Sequence, residues 1–402
     1  MALRHAAMLE VNEFLVLDLI RDRAETTRPD IAHALGLSAS SVSRIVARLI
    51  REGMVTESGP EPTSGGRPRS RIAFNPRAGA LIAIDLGGTR CRGALADLAG
   101  EVLLEDERAS GEGTDAFETL LAVIRFLADA SAERRLPVAA VAVGIPAILD
   151  PVSGRAVAGP RVHWRDFEIM SRLSAELDVP FLVENDVNLA ALAHAWRGEA
   201  RGIDDFVVVS VGTGIGGAVV ADGRLVKGHH NAGGEVGYIT VDRDQLDAPV
   251  ELGLGGLEAV ASGPAIARLA GRGTAGNVFK AAAEGDPLAR KVVDEAVDRL
   301  SIALTAIAAT VDPEIVILEG SIGRSLEPYL DLLRARLANR LPSPPSAVVS
   351  TLASATVVGA IAAAMQLARE RRAPGALTGT FRSGPWTAST ATIMEPGVGA
   401  VR

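Results

Sequence analysis

Between Leu9 and Ile20, apolar side chains fall at Leu9, Phe14, Leu15, Leu17, Leu19 and Ile20, a spacing that predicts a helix with one buried face. Thr27-Arg28-Pro29-Asp30 then has the form of a helix start, with Thr27 as N-cap and Asp30 three residues on. The helix it opens, over 28–35, should stop at Gly36. Leu37 is expected as the buried residue of the turn, and Ser38 as the cap of a further helix over 39–51. That helix buries Val42, Ile45 or Val46, and Leu49, and leaves Ser40, Ser41, Ser43 and Arg44 exposed on its N-terminal half. Short hydroxyls and an arginine there suit a helix that enters the major groove of DNA and touches base edges. A helix pair around a glycine turn is a weak signal alone. Here Gly53-Met54-Val55 follows at once, then a Gly/Pro-rich stretch over 58–68 and a strand over 71–74, completing a winged helix-turn-helix. The wing carries Gly65-Gly66-Arg67-Pro68-Arg69. Arginines two apart lie on one side of an extended chain, which makes Arg67 and Arg69 DNA candidates. The other reading is a solvated linker.

Beyond Asn75-Pro76 the pattern changes. A strand over 80–84 runs into Asp85-Leu86-Gly87-Gly88-Thr89, followed by strands near 92–97 and 101–106, a long helix near 115–134 and a strand over 138–143. Glycines let backbone N–H groups approach phosphate oxygens, Thr89 can add a hydroxyl, and Asp85 at the strand end can hold a metal through water. A second loop, Gly212-Thr213-Gly214-Ile215-Gly216-Gly217, follows a strand over 206–211. Its glycine spacing matches a dinucleotide fingerprint, which requires a helix next. What comes instead is strand, Asp222-Gly223 turn and strand, so the oxidoreductase reading fails. Two glycine loops, each opening a hairpin, suggest a phosphate clamped between related lobes. Between them Phe181–Asp186 reads as a buried strand with polar residues at its end, before a helix over 187–197. Asp186 there is either a general base for a hydroxyl nucleophile or a helix N-cap.

The chain of 402 residues predicts two or three domains, and 48% hydrophobic with 22% charged residues is a globular composition. The net charge of −8 argues against a protein that coats nucleic acid, yet residues 28–77 hold eight arginines against four acids. A basic segment on an acidic body fits a DNA module joined to something else. Cys91 is the single cysteine, which excludes an intrachain disulfide and a cysteine-rich metal site. The first residues lack a secretory pattern, and the apolar run 300–311 is too short to span a bilayer, so a cytoplasmic location is expected.

Taken together these segments resemble the ROK family (repressor, open reading frame, kinase), from about residue 8 to 370. Asp85–Thr89 is similar to its first phosphate motif, and Gly212–Gly217 to its second. Glu184-Asn185-Asp186-Val187-Asn188 resembles its sugar and catalytic segment, Gly228–Tyr238 its sugar loop, and Leu257-Glu258 the end of the next motif; Gly159–Phe167 resembles a segment of many ROK regulators. The resemblance implies an α/β architecture: an N-terminal winged helix-turn-helix (1–76) on an actin-like ATPase (ribonuclease-H-like) two-lobed sugar-kinase fold (77–372). Lobe one would span about 77–188 plus 355–372, and lobe two about 189–354. It further implies that Asn185, Asp186, Glu235, Tyr238 and Glu258 bind sugar, with Asp186 the base if phosphoryl transfer occurs. Asp85, Gly87, Gly88, Thr89, Gly212, Thr213, Gly214 and Gly216 would face ATP phosphates. The family's structural zinc is not expected, because its four ligand positions hold Tyr238, Pro249, Glu251 and Gly256, and proline and glycine side chains offer no donor. Ala147 stands where glycine is usual. The implied function is a sugar-responsive DNA-binding regulator with operator DNA and a sugar or sugar phosphate as partners, and no required cofactor. A sugar kinase using Mg-ATP is the alternative. A homodimer or dimer of dimers is expected from paired half-sites, and the Gly/Thr/Ser/Ala-rich tail 373–402 is expected to be disordered.

Overall fold

The computed structural model describes residues 2–59, 70–111, 113–247, 254–372 and 392–394, and no helix among them is long and apolar enough to cross a membrane. The N-terminal domain contains α1 (Ala2–Asp22), α2 (Arg28–Leu35), α3 (Ala39–Arg51), β1 (Val55–Glu57) and β2 (Ile72–Phe74). Thr27 caps α2, with its side chain accepting from Asp30 N, and Gly36 ends the helix at φ +64°, a conformation that favours glycine. Ser38 caps α3 by accepting from Ser41 N at 3.2 Å. Val42, Ile45, Val46 and Leu49 are all buried, so the predicted choice between Ile45 and Val46 does not arise. Leu37 is only half-buried. β1 and β2 pair antiparallel from Val55↔Phe74 to Glu57↔Ile72, forming the base of a wing.

Two lobes follow. The first holds β3 (Ala80–Leu86), β4 (Arg90–Asp97), β5 (Val102–Ala109), α4 (Ala116–Glu133), β6 (Val138–Ile145), β7 (Ile148–Leu149), β8 (Ala156–Ala158), α5 (Ile169–Glu176) and β9 (Phe181–Asn185). α6 (Asp186–Arg197) leads across to the second lobe, with β10 (Phe206–Val211), β11 (Ile215–Ala221), β12 (Arg224–Leu225), α7 (Glu258–Ala261), α8 (Gly263–Leu269), α9 (Ala275–Ala283), α10 (Pro287–Val311), β13 (Ile315–Glu319), α11 (Gly320–Ser325), α12 (Leu330–Arg340) and β14 (Ser346–Val349). α13 (Ala355–Glu370) returns to the first lobe. The two sheets repeat one plan: in each, a three-strand antiparallel meander is joined on one side by two parallel strands. Their orders are β9-β6-β3-β4-β5 and β14-β13-β10-β11-β12. β15 (Thr392–Met394) adds antiparallel to β9 at the sheet edge. Those three residues depart from the disorder expected of 373–402; the rest of that tail lies outside the described residues. The triplet is a short β-prone run, and an open strand edge with free backbone groups is what such a run pairs with.

α6 and α13 lie between the sheets and share one apolar cluster with both of them and with the N-terminal domain. The helices cross closely because Gly359 has no side chain: a Cβ there would lie 1.7 Å from the Leu189 carbonyl oxygen. The facing strand positions Ala83, Ala94, Ala140 and Ala142 are equally small, which lets α13 seat on the first sheet. At its far end α13 meets the N-terminal domain. Arg369 pairs with Asp18 of α1 at 2.5 Å, and Arg372 with Glu52 at the end of α3 at 3.6 Å.

Candidate functional site

The apolar stripe of α3 packs inward and turns the opposite side of the helix to solvent. Ser40, Ser43 and Arg44 are exposed, and Arg44 has no ion-pair partner among the described residues. Ser41 differs from expectation. It is half-buried and drawn into the cap, where Ser38 Oγ donates to its hydroxyl at 2.9 Å. A first-turn hydroxyl beside an N-cap serine finds that partner before any outside one. Arg48 is held by Glu13 at 3.0 Å and Glu52 at 2.9 Å, and Arg71 pairs with Glu25. Arg67 and Arg69 lie outside the described residues.

The five sugar candidates come together. Asn185, Asp186, Glu235, Tyr238 and Glu258 line one cleft of about 540 Å³, counted to its open mouth, with Ala147, Arg161 and Gly216. Lobe one supplies Asn185 and Asp186 at the junction of β9 and α6; lobe two supplies the other three. Asn185, not Asp186, is the N-cap: its Oδ1 accepts from Val187 N at 2.9 Å and Asn188 N at 3.3 Å. The capping alternative for Asp186 therefore falls to its neighbour, and Asp186 is the first residue of α6, aimed into the cleft. Burial raises the Asp186 carboxyl above its ordinary range, with Arg161 opposing. Burial, then the charge of Asp186, push both Asp85 and Glu235 up to about 7. Tyr238 is 43% exposed at the rim. Glu258 Oε1 accepts from Ile215 N at 3.1 Å and pairs with Arg161.

The glycine loops take up the turns of the β3–β4 and β10–β11 hairpins, so the absence of a helix after Gly217 is confirmed. Asp85, one residue before the end of β3, stands beside Asp186, whose charge it feels; Gly87 and Thr89 stay with the first turn, and Gly212 and Thr213 with the second. Gly88 and Gly214 are bridged by a residue the sequence did not single out. Arg161 stands at the tip of a short loop closed by paired hydrogen bonds between Gly159 and Trp164, each 3.0 Å, and its side chain crosses from Gly88 to Gly214 and Glu258. Lys227, also missed, pairs with buried Glu184, whose Oε1 accepts from Asn188 Nδ2 at 3.0 Å and Asn185 N at 2.9 Å. Together these tie the sugar loop to the β9 end. Arg161 falls inside the Gly159–Phe167 segment, but nothing local marks that arginine over Arg165 as the one that reaches the cleft, and Lys227 stands just before the Gly228–Tyr238 loop with no motif of its own.

The residues present do not fit the zinc of the resemblance. Tyr238 and Gly256 are described and supply no thiolate or imidazole, Pro249 and Glu251 lie outside the described residues, and no group of three His, Cys, Asp or Glu among the described residues could hold a metal. Gln245 ties that loop instead: Val241 N donates to its Oε1 at 2.9 Å, and its Nε2 donates to the Gly256 carbonyl at 2.9 Å.

Comparison with known proteins places these observations. Residues 81–370 match the family described as ROK family, and residues 9–56 match winged helix-turn-helix DNA-binding domains. A xylose repressor of Caldicellulosiruptor bescii is 28% identical over 359 residues, covering 84% of this chain and 89% of its own. A solved ROK family transcriptional regulator, homolog of the E. coli MLC protein, covers 90% of this chain and 97% of its own with a TM-score of 0.74, a likeness of fold at 23% identity. A ROK family glucokinase from Streptomyces griseus, solved with glucose and AMPPNP, covers 72% of this chain and 100% of its own at 26% identity and TM-score 0.60.

Proposed function

From the premise that this chain belongs to the ROK family, we propose that it is a sugar-responsive, DNA-binding transcription regulator that acts as a repressor, its ligand held in the cleft between the lobes. The observation that carries the reading is the physical link between cleft and DNA module. α13 begins where Thr356 Oγ1 donates to the Asp186 carbonyl at 3.3 Å, and ends where Arg369 and Arg372 grip α1 and the end of α3. Its 16 residues form a strut of about 24 Å.

Sugar hydroxyls reach both lobes at once. Asn185 and Asp186 act from one side, and Glu235, Tyr238 and Glu258 from the other, so an occupied cleft fixes the angle between the lobes. A ligand shifts such an equilibrium by its differential affinity for the two arrangements. The shift reaches the recognition helix through α13, with Ser40, Ser43 and Arg44 on base edges and the wing arginines Arg67 and Arg69 on the backbone. Two copies of the chain would address paired half-sites of operator DNA in the cytoplasm.

A second reading, a sugar kinase, is favoured by one observation: Asp186 and both glycine loops are in place. Asp186 would then take the proton of the attacking hydroxyl, while the loops cradle phosphate. Asp186→Asn separates the two. In a regulator the variant keeps DNA binding in a gel shift but responds poorly to sugar. In a kinase it loses turnover and keeps much of its sugar affinity. We expect the first pattern, with slow or no phosphorylation by the wild type. A wild-type turnover on the order of 1–100 per second, ordinary for kinases, would overturn it.

A further inference from the structure

A second cavity lies at the other end of α13 from the cleft, where the N-terminal domain meets the first lobe. It measures about 490 Å³ counted to its open mouth. Most of its wall is apolar: Met54 comes from the turn before β1, Leu98 and Pro137 from the first lobe, and Ala368 from α13. Two guanidiniums bring charge to it, Arg21 at the end of α1 and Arg372 just beyond α13. Among the described residues no acidic side chain lines it.

Arg21 is half-buried and short of partners. Its Nε is enclosed and has no hydrogen-bond partner among the described residues. The acids whose charge it feels, Asp18 and Asp22, are paired with Arg369 at 2.5 and 3.5 Å. The Phe74 ring lies against it, 4.6 Å from Cζ. Burial first, and the charge of Arg369 next, push the guanidinium down to about 10, so at neutral pH it is still a cation. Arg372 is loosely engaged. Glu52 stands 3.6 Å from it, and Glu52 already accepts from Arg48 at 2.9 Å. A half-buried cation without a direct counter-charge is unfavourable, and an open cavity beside it is a place for an anion.

We propose that this cavity is a second effector site, for a small carboxylate with a short apolar body, held between Arg21 and Arg372. The carboxylate supplies the missing counter-charge in the two-pronged geometry that it shares with a guanidinium. Guanidinium charge is spread over three nitrogens, so an anion at the terminal pair also offsets the enclosed Nε. The hydrocarbon body covers Met54, Leu98, Pro137 and Ala368, apolar surface that an inorganic anion would leave wet. The bound anion also competes with Glu52 for Arg372, which loosens the tie between α13 and the end of α3. Its contacts come from the N-terminal domain and α13 together, so occupancy bears on how that domain is held. The site lies apart from the sugar cleft, and only its effect on DNA rests on the regulator reading.

Titration calorimetry on the full chain, in buffer free of carboxylate and phosphate, compares butyrate with acetate, butyramide and inorganic phosphate. Butyrate should bind about 10-fold more tightly than acetate, the effect of two buried CH₂ groups. Butyramide has the same shape without the charge and should bind at least about 10-fold more weakly than butyrate. Arg21→Met and Arg372→Gln should each weaken butyrate by about 10-fold or more, the range of one charged hydrogen bond. Methionine keeps an apolar stem on Phe74 and removes the unpaired charge, so Arg21→Met should melt no lower than the wild type without ligand. Equal binding of butyrate and butyramide, tighter binding of phosphate, butyrate affinity unmoved in either variant, or a lower melting temperature of ligand-free Arg21→Met would overturn the assignment. Gel shifts decide the effector role. Saturating butyrate should move the promoter affinity of the wild type by about 5-fold or more and leave that of Arg21→Met where it was; butyrate that binds without moving it refutes that role. A wild type that holds no promoter DNA counts against the regulator reading, and the calorimetry then decides the carboxylate site by itself.

Discussion

Adding a single methyl group at Gly359 should unseat the helix pair that links the cleft to the DNA module. In Gly359→Ala the new Cβ would stand 1.7 Å from the Leu189 carbonyl oxygen, 2.5 Å from its carbonyl carbon and 3.1 Å from its Cα. Ordinary contact begins near 3.4 Å, so α6 and α13 must part by more than 1.5 Å or so. All three atoms are backbone, and no rotamer change relieves them. Overpacking of a tight core costs about 1–3 kcal/mol and sometimes more, and this contact belongs at the upper end. Alanine gains about 1 kcal/mol over glycine in a helix interior, which leaves a net loss of about 2 kcal/mol or more. With a urea slope of about 1–3 kcal/mol per molar, the unfolding midpoint falls by on the order of 1 M. Equilibrium urea unfolding followed by far-UV circular dichroism measures it. Gly276→Ala in α9 is the matched control, because nothing lies nearer its added Cβ than Thr274 Oγ1 at 3.9 Å. That variant should lose nothing and gain up to about 1 kcal/mol. A Gly359→Ala protein that unfolds at or above the wild-type midpoint would refute the close crossing.

Glu235 gives a pH dependence of known sign. Its folded pKa of about 7 stands above the ordinary 4.5, so the folded protein holds a proton that the unfolded chain releases. The associated stability is present below 4.5 and lost as pH rises through about 7. The melting temperature of Glu235→Gln should therefore fall less than that of the wild type between about pH 5 and 8; identical slopes would show that Glu235 is not the group concerned. Arg44→Ala should lose about 1–3 kcal/mol of operator discrimination, read as a larger loss on promoter DNA than on random duplex in a binding titration. Equal losses would place Arg44 on phosphate rather than a base edge. Elemental analysis after dialysis without chelator should find no stoichiometric zinc, and one zinc per chain would show that the alignment of the ligand positions is wrong or that His229, His230 and Glu251 form a rebuilt site.

The amino-acid sequence alone determined the elements and most of the site's membership. Helices over 28–35 and 39–51 and the strand over 206–211 occur at their predicted bounds, because caps, glycine stops and apolar period act over a few residues. The glycine loops, Glu184-Asn185-Asp186 and the loop through Glu235 are likewise contiguous stretches, and contiguity is what makes a motif readable. Other features belong to the tertiary structure. Which of Asn185 and Asp186 caps α6 depends on how the chain leaves β9, and both residue types can do it. Ser41 stands one and two turns before buried Ile45 and Leu49, at the margin of the packed face, and its hydroxyl is taken by Ser38 of the cap. Arg161 reaches Glu258 across 97 positions, and Lys227 reaches Glu184 across 43. Neither contact exists until the two lobes are packed against each other. Local sequence sets the conformational preference of a segment, whereas a contact between remote segments is set by the summed packing of everything between them. The cation that completes this cleft is therefore visible only in the folded protein.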